Sequence, residues 1–164
     1  MDESSAVSEK ASVVVVRHSI PAPAADVWAA VEDQAGWVAT VDDVLGVEVL
    51  SVDRELGGEP VERVVSWRVW LKGFELRWQE TQQLDWQAKR LDFQQIEGMF
   101  ATYAGYYQVT ARGDTTDVEL CLQIGTGMPY LAGIIDPVIT HAFDAFAHEL
   151  LRGLERVSPL PQPA

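Results

Sequence analysis

The chain has 164 residues, 48% of them hydrophobic, and a formal net charge of −13 from 25 acidic and 12 basic residues. That length and apolar content fit one domain with a sizeable core and exclude a disordered chain. A field of that sign repels phosphate, which argues against nucleic acid and anionic membrane surfaces as partners.

The basic residues do not form a patch that would override the charge: Arg63, Arg68, Lys72, Arg77, Lys89 and Arg90 are scattered among acids. No apolar run approaches the ~20 residues of a membrane helix. The opening MDESSAVSEK is polar and acidic, unlike a secretion signal, and the single Cys121 cannot form an internal disulfide. A cytoplasmic location is expected.

In chain order, residues 1–11 read as a disordered tail, 12–157 as one domain and 158–164 as a second tail. Ala11–Ile20, with four consecutive valines, predicts a strand. PAPAADVWAAVED predicts a helix over 23–33 with Trp28 as a core anchor, and Ala35–Val41 a second short helix, with Gly36 at the break between them. VLGVEVLSVD is a strand and ELGGEP a turn. VERVVSWRVWLKGFELRWQETQQLD predicts two long antiparallel strands meeting at Lys72–Gly73. KRLDFQQIEG, MFATYAGYYQVTA and TDVELCLQIG supply three more.

Pro129–Val157 closes the chain as a long amphipathic helix. Ile135, Ile139, Ala142, Phe143, Phe146, Leu150, Leu154 and Val157 share its apolar face, and Thr140, Asp144, His148, Arg152 and Glu155 the opposite one. Asp136 as a cap and Pro137 predict a kink or restart at that point. With this helix segregated to one face of an antiparallel sheet, the class is α+β.

Strand alternation says which side chains face the helix. In the second hairpin strand the inward set is Phe74, Leu76, Trp78, Glu80 and Gln82; in the first it is Val65, Trp67, Val69 and Leu71. The later strands add Leu91, Phe93 and Gln95, then Tyr103, Gly105, Tyr107 and Val109, then Val118, Leu120, Leu122 and Ile124. An aromatic, apolar interior with a few polar groups is the composition of a small-molecule pocket. Tyr103 and Tyr107 also fit a plain core role with satisfied hydroxyls, and Trp67 and Trp78 plain packing. An inward carboxylate at Glu80 must be paired, raised in pKa or close to the rim. It is also the best general acid or base in the chain.

This order of elements resembles the helix-grip proteins of the START-like superfamily (SRPBCC), within it the polyketide cyclase/dehydrase and coenzyme-Q-binding group. APAADVWAAVED, GWVATV, the WRVWLKGFELRWQE hairpin, RLDFQQIEG and the closing helix carry the resemblance over about residues 11–157. It implies a curved antiparallel sheet wrapped around the long C-terminal helix, with an apolar ligand held between them. The ligand-lining residues expected are Trp37, Trp67, Leu76, Trp78, Phe93, Tyr103, Ile135, Ile139, Phe143 and Phe146. Those expected to carry chemistry are Glu80, Gln82, Gln95 and Tyr107. Where aromatase/cyclases of the family place an inward arginine, an ungapped placement gives Gln82, whose amide offers hydrogen bonds but no positive charge.

Two functional classes follow. One is a polyketide cyclase/dehydrase acting on a hydrophobic poly-carbonyl or polyene substrate, free or bound to a carrier protein. The other is a non-catalytic carrier of a lipid, quinone or similar metabolite. The acidic charge argues against the ribosome-associated branch of the group. A homodimer is left open. His18, His141 and His148 lack metal-ligand spacing, Cys121 has outward parity, Asp42–Asp43 reads as a solvated turn, and no glycine-rich phosphate loop is visible. No metal or cofactor is expected.

Overall fold

The computed structural model describes residues 11–56, 58–127 and 132–158, with Ala132, Gly133, Ile134 and Asp136 described by backbone alone. Most of the two expected tails, and Pro129–Leu131 of the expected last helix, lie outside these residues. Of the second tail Ser158 is described; it is buried and donates to the Leu154 carbonyl at 2.8 Å.

Strand β1 (Ser12–Ile20) leads into α1 (Ala24–Glu32) and the short α2 (Gln34–Val38). Pro23 precedes the first turn of α1, where a missing N–H costs nothing, and Asp26 complements the helix dipole. The break between the helices falls at Asp33, whose carboxylate accepts from the Gly36 N–H at 3.3 Å. Gly36 lies inside α2 and not at the expected break. A Cβ there would sit 2.4 Å from the capping carboxylate.

Six strands follow as a meander: β2 (Val44–Arg54), β3 (Pro60–Leu71), β4 (Phe74–Asp85), β5 (Arg90–Gly98), β6 (Thr102–Arg112) and β7 (Thr115–Gly125). β1 pairs with β7, so the sheet order is β1-β7-β6-β5-β4-β3-β2, antiparallel throughout. The β3–β4 turn is Lys72–Gly73, both at positive φ (52° and 82°), the two-residue turn whose twist matches the flanking strands.

α3 (Ala132–Val157) packs against β1 and β7. Its Phe143 also reaches Trp78 on β4 and Tyr103 on β6. One helix touching strands this far apart requires the sheet to curl around it, which is the helix-grip arrangement. Pro137 sits within the continuous helix and no restart occurs there.

The alternating pattern holds along β3 to β7, and the inward residues are buried except for half-buried Gln95 and Gly105. Two further positions expected to face inward, one on β4 and one on α3, are exposed. Phe74 has inward parity yet is 69% exposed beside the hairpin turn, and Val157, on the apolar face of α3, is exposed in its last turn. Both lie at element ends, where periodicity continues but the opposing surface does not.

Candidate functional site

Three successive inward positions of β4 build the site: Trp78, Glu80 and Gln82, all buried. The register sets their partners on β3 as Trp67, Val65 and Arg63. Trp67 and Trp78 therefore stack, with ring centroids 5.8 Å apart and planes 8° from parallel. Tyr103 leans on Trp78 at 4.8 Å, Phe93 bridges Tyr103 and Tyr107, and Trp37 of α2 meets Tyr107 edge-on at 5.5 Å. Phe143 and Phe146 of α3 and Leu76 complete the apolar wall; Ile135 and Ile139 are half-buried.

Inside this wall the polar atoms form a chain. Trp78 Nε1 donates to Glu80 Oε1 at 2.8 Å, and Gln82 Nε2 donates to Glu80 Oε2 at 2.6 Å. The same Gln82 nitrogen donates to Gln34 Oε1 at 2.8 Å, and Gln82 Oε1 accepts from Arg63 Nε at 2.7 Å. Burial pushes the Glu80 carboxyl up to about 7, opposed by the Gln82 and Trp78 donors and the Arg63 charge. Trp67 Nε1 also favours the charged form of Glu80 from outside hydrogen-bond geometry and has no other partner. Burial, together with the Glu80 charge, holds the Tyr103 and Tyr107 phenols well above their ordinary range.

The expected site residues thus fall into distinct positions. Glu80, Gln82 and the aromatic residues converge. Gln95 stands opposite Glu80, brought there by a bulge between Gln79 and Glu80. Both ends of its side-chain amide are engaged by the Phe100 backbone, Nε2 donating at 2.7 Å and Oε1 accepting at 3.4 Å. Gly98 beneath it has no Cβ to strike Gln95 Oε1, which would lie 2.4 Å away. Gln95 therefore ties the β5–β6 turn.

Two members of the polar chain lie outside the expected set. Arg63 continues the inward parity of Val65, Trp67 and Val69, a signal present in the sequence but masked by its charge. It is 7% exposed, and its Nη2 is buried without a partner. Gln34 opens a five-residue helix, too short for any periodicity, and is 2% exposed with Nε2 unpartnered. Glu32 faces Arg63 from the end of α1; its Oε2 is buried and unpartnered, and burial with nearby Glu59 raises its pKa. Arg63 thus meets Gln82 from the neighbouring strand β3.

A second cluster joins β1 to α3: His18 Nε2 and His148 Nδ1 lie 3.2 Å apart. Among the described residues no group of His, Cys, Asp or Glu is arranged to hold a metal ion. No helix among them is long and apolar enough to cross a membrane. A cleft of about 410 Å³ between α1 and α2, and one of about 330 Å³ over Gln94, Tyr106 and Gln123, contain none of the Glu80 chain.

The sequence profile of the family described as "Polyketide cyclase / dehydrase and lipid transport" matches residues 20–151. No curated protein matches the chain by sequence. Among solved structures, TTHA0849 from Thermus thermophilus superimposes with a TM-score of 0.81 at 25% identity, covering 88% of this chain and 95% of that one. The Zhui aromatase/cyclase from Streptomyces sp. R1128 gives 0.69 at 19% identity, over 89% and 94% of the two chains. A START superfamily protein from Mycobacterium smegmatis gives 0.73 at 16% identity, over 89% and 96%. The last two likenesses concern the fold.

Proposed function

Because the chain belongs to the polyketide cyclase / dehydrase and lipid transport family, we propose that it holds a hydrophobic poly-carbonyl substrate between sheet and helix and promotes its cyclisation and dehydration. The observation that carries this reading is Glu80: a carboxyl 3% exposed, walled by aromatic rings and poised at about 7. A general acid or base works best when its pKa lies near the operating pH.

In this reading the Glu80 carboxylate takes a proton from a carbon flanked by two carbonyls. That carbon bonds to a distant carbonyl carbon held nearby by the apolar wall, and the resulting alkoxide recovers the proton from Glu80. Loss of a second acidic C–H proton to Glu80 and departure of the hydroxyl, protonated by Glu80, releases water and leaves a double bond. Confinement of the chain against Trp67, Trp78, Phe93 and Phe143 supplies orientation, which is worth more than proton transfer alone. Tyr107 and Tyr103, kept as neutral phenols, are suited to donate to the developing oxyanion. With a net charge of −13, an acidic carrier protein gains no electrostatic attraction, so a free substrate is the expected form.

A second reading, a carrier for a lipid, quinone or similar metabolite, is favoured by one observation: both Glu80 oxygens already have protein donors. Glu80→Gln separates the two. The enzyme reading predicts loss of turnover on a poly-carbonyl substrate with the fold intact; unchanged turnover removes Glu80 from the chemistry.

A further inference from the structure

Of the five side chains in the buried chain, three can reverse their polarity. Glu80 accepts when ionised and donates when protonated. Gln82 and Gln34 each present a carbonyl at one end of an amide and an NH₂ at the other, with almost the same shape either way round. Gln34 is free to turn over, because its Nε2 has no partner to lose. A fully inverted chain is therefore self-consistent for these three: protonated Glu80 donating to the Gln82 carbonyl, and Gln82 paired with a turned Gln34.

Trp78 and Arg63 are the exceptions, both donor-only, and of the two it is Arg63 that bonds Gln82. A guanidinium is donor-only and stays protonated in proteins. Its Nε lies 2.7 Å from Gln82 Oε1, and an inverted Gln82 would set NH₂ against N–H there. The cross-strand register Arg63↔Gln82 fixes this contact through the backbones of β3 and β4.

We propose that Arg63 is a positioning residue: as the donor-only member bonded to Gln82, it holds the Gln82 amide with its NH₂ toward Glu80. It acts on Glu80 through Gln82, as well as by its charge. The remaining groups that face Glu80 and bear on its ionisation are Trp78 and Trp67 beside it, and Tyr103 and Tyr107 from β6. None of these fixes the Gln82 amide. The catalytic meaning of this device rests on the proposed role of Glu80, but the device itself does not.

The test follows the Glu80 carboxyl C=O stretch by infrared difference spectroscopy across pH, with Glu80→Gln as the spectral blank and no substrate present. Its result is therefore independent of whether Glu80 turns anything over. Arg63→Met keeps length and removes the donor; its Glu80 midpoint is expected to rise by about one unit or more. Arg63→Lys keeps a pure donor and is expected to return the midpoint to within about half a unit of wild type. A midpoint unchanged in folded Arg63→Met, or the same rise in both variants, overturns the proposal. A second measurement needs no variant. In the wild type, the NMR coupling across the Arg63 Nε–H to Gln82 carbonyl bond is expected on both sides of the Glu80 titration, and its disappearance when Glu80 protonates would also overturn it.

Discussion

Trp78 and Glu80 stand two residues apart on one face of β4, and the indole of the first donates to the carboxyl of the second at 2.8 Å. A strand's two-residue period places an acid and an aromatic wall in contact without any loop. The acid is thereby buried and oriented at once, and its environment sets several measurable consequences.

The first concerns stability against pH. Glu80 titrates at about 7 in the folded chain against 4.5 for an unperturbed glutamate, so between those values the folded state holds a proton that the unfolded state releases. Its contribution is therefore full below 4.5 and is lost as the pH rises through 7, at a cost of about 3 kcal/mol. Glu80→Gln mimics the protonated form. Denaturant titrations should show the variant gaining on wild type as the pH rises from about 5 to about 8; parallel pH profiles would contradict the assignment.

Tyr107 makes a second case. Its ring packs against Trp37 and Phe93, contacts that a phenylalanine ring keeps. Tyr107→Phe should leave stability within about 1 kcal/mol of wild type while lowering turnover on the order of tenfold or more. A stability loss that accounts for the whole fall in activity would make the hydroxyl structural.

Gly105 has inward parity between Tyr103 and Tyr107. A Cβ there would lie 1.9 Å from the Cys121 carbonyl oxygen and 2.9 Å from the Phe93 ring, and the carbonyl belongs to a paired strand that cannot retreat. Gly105→Ala is expected to cost about 3 kcal/mol, seen as a lowered Tm. A near-neutral outcome would mean that β6 and β7 part more easily than their pairing implies.

Much of this arrangement is legible in the sequence because β4 alternates without interruption: Leu76, Trp78, Glu80 and Gln82 follow from counting by twos. Arg63 obeys the same count, but a charged residue is rarely buried, and that rule points the other way. The register, which sets it opposite Gln82, and the nearby Glu32 and Glu80 carboxyls explain how its charge is tolerated. Gln34 and the bulge at Glu80 depend on contacts between segments far apart in the chain, and no local pattern encodes them. The same holds for His18 and His148, 130 residues apart and joined only when α3 docks on β1.

That histidine pair yields a further prediction. Burial lowers the pKa of His18 below 6.5, His148 and Arg152 lower it further, and Glu155 opposes them; all three charges lie on α3. In the folded chain protonation is disfavoured, so the unfolded state binds the proton first and the contribution of this seam falls as the pH drops through 6.5. His18→Gln should flatten the acid limb of the stability profile. An unchanged acid limb would mean that the pair does not couple helix docking to pH.

The central claim, that this family member transforms its ligand rather than only carrying it, is tested most directly by native mass spectrometry of wild type and Glu80→Gln purified from the producing cells, followed by denaturing extraction of what co-purifies. The account predicts an empty site or a cyclised, dehydrated product with the wild type, and the open, unreacted chain with the variant. The same unaltered lipid or quinone, near one per chain in both proteins, would contradict it.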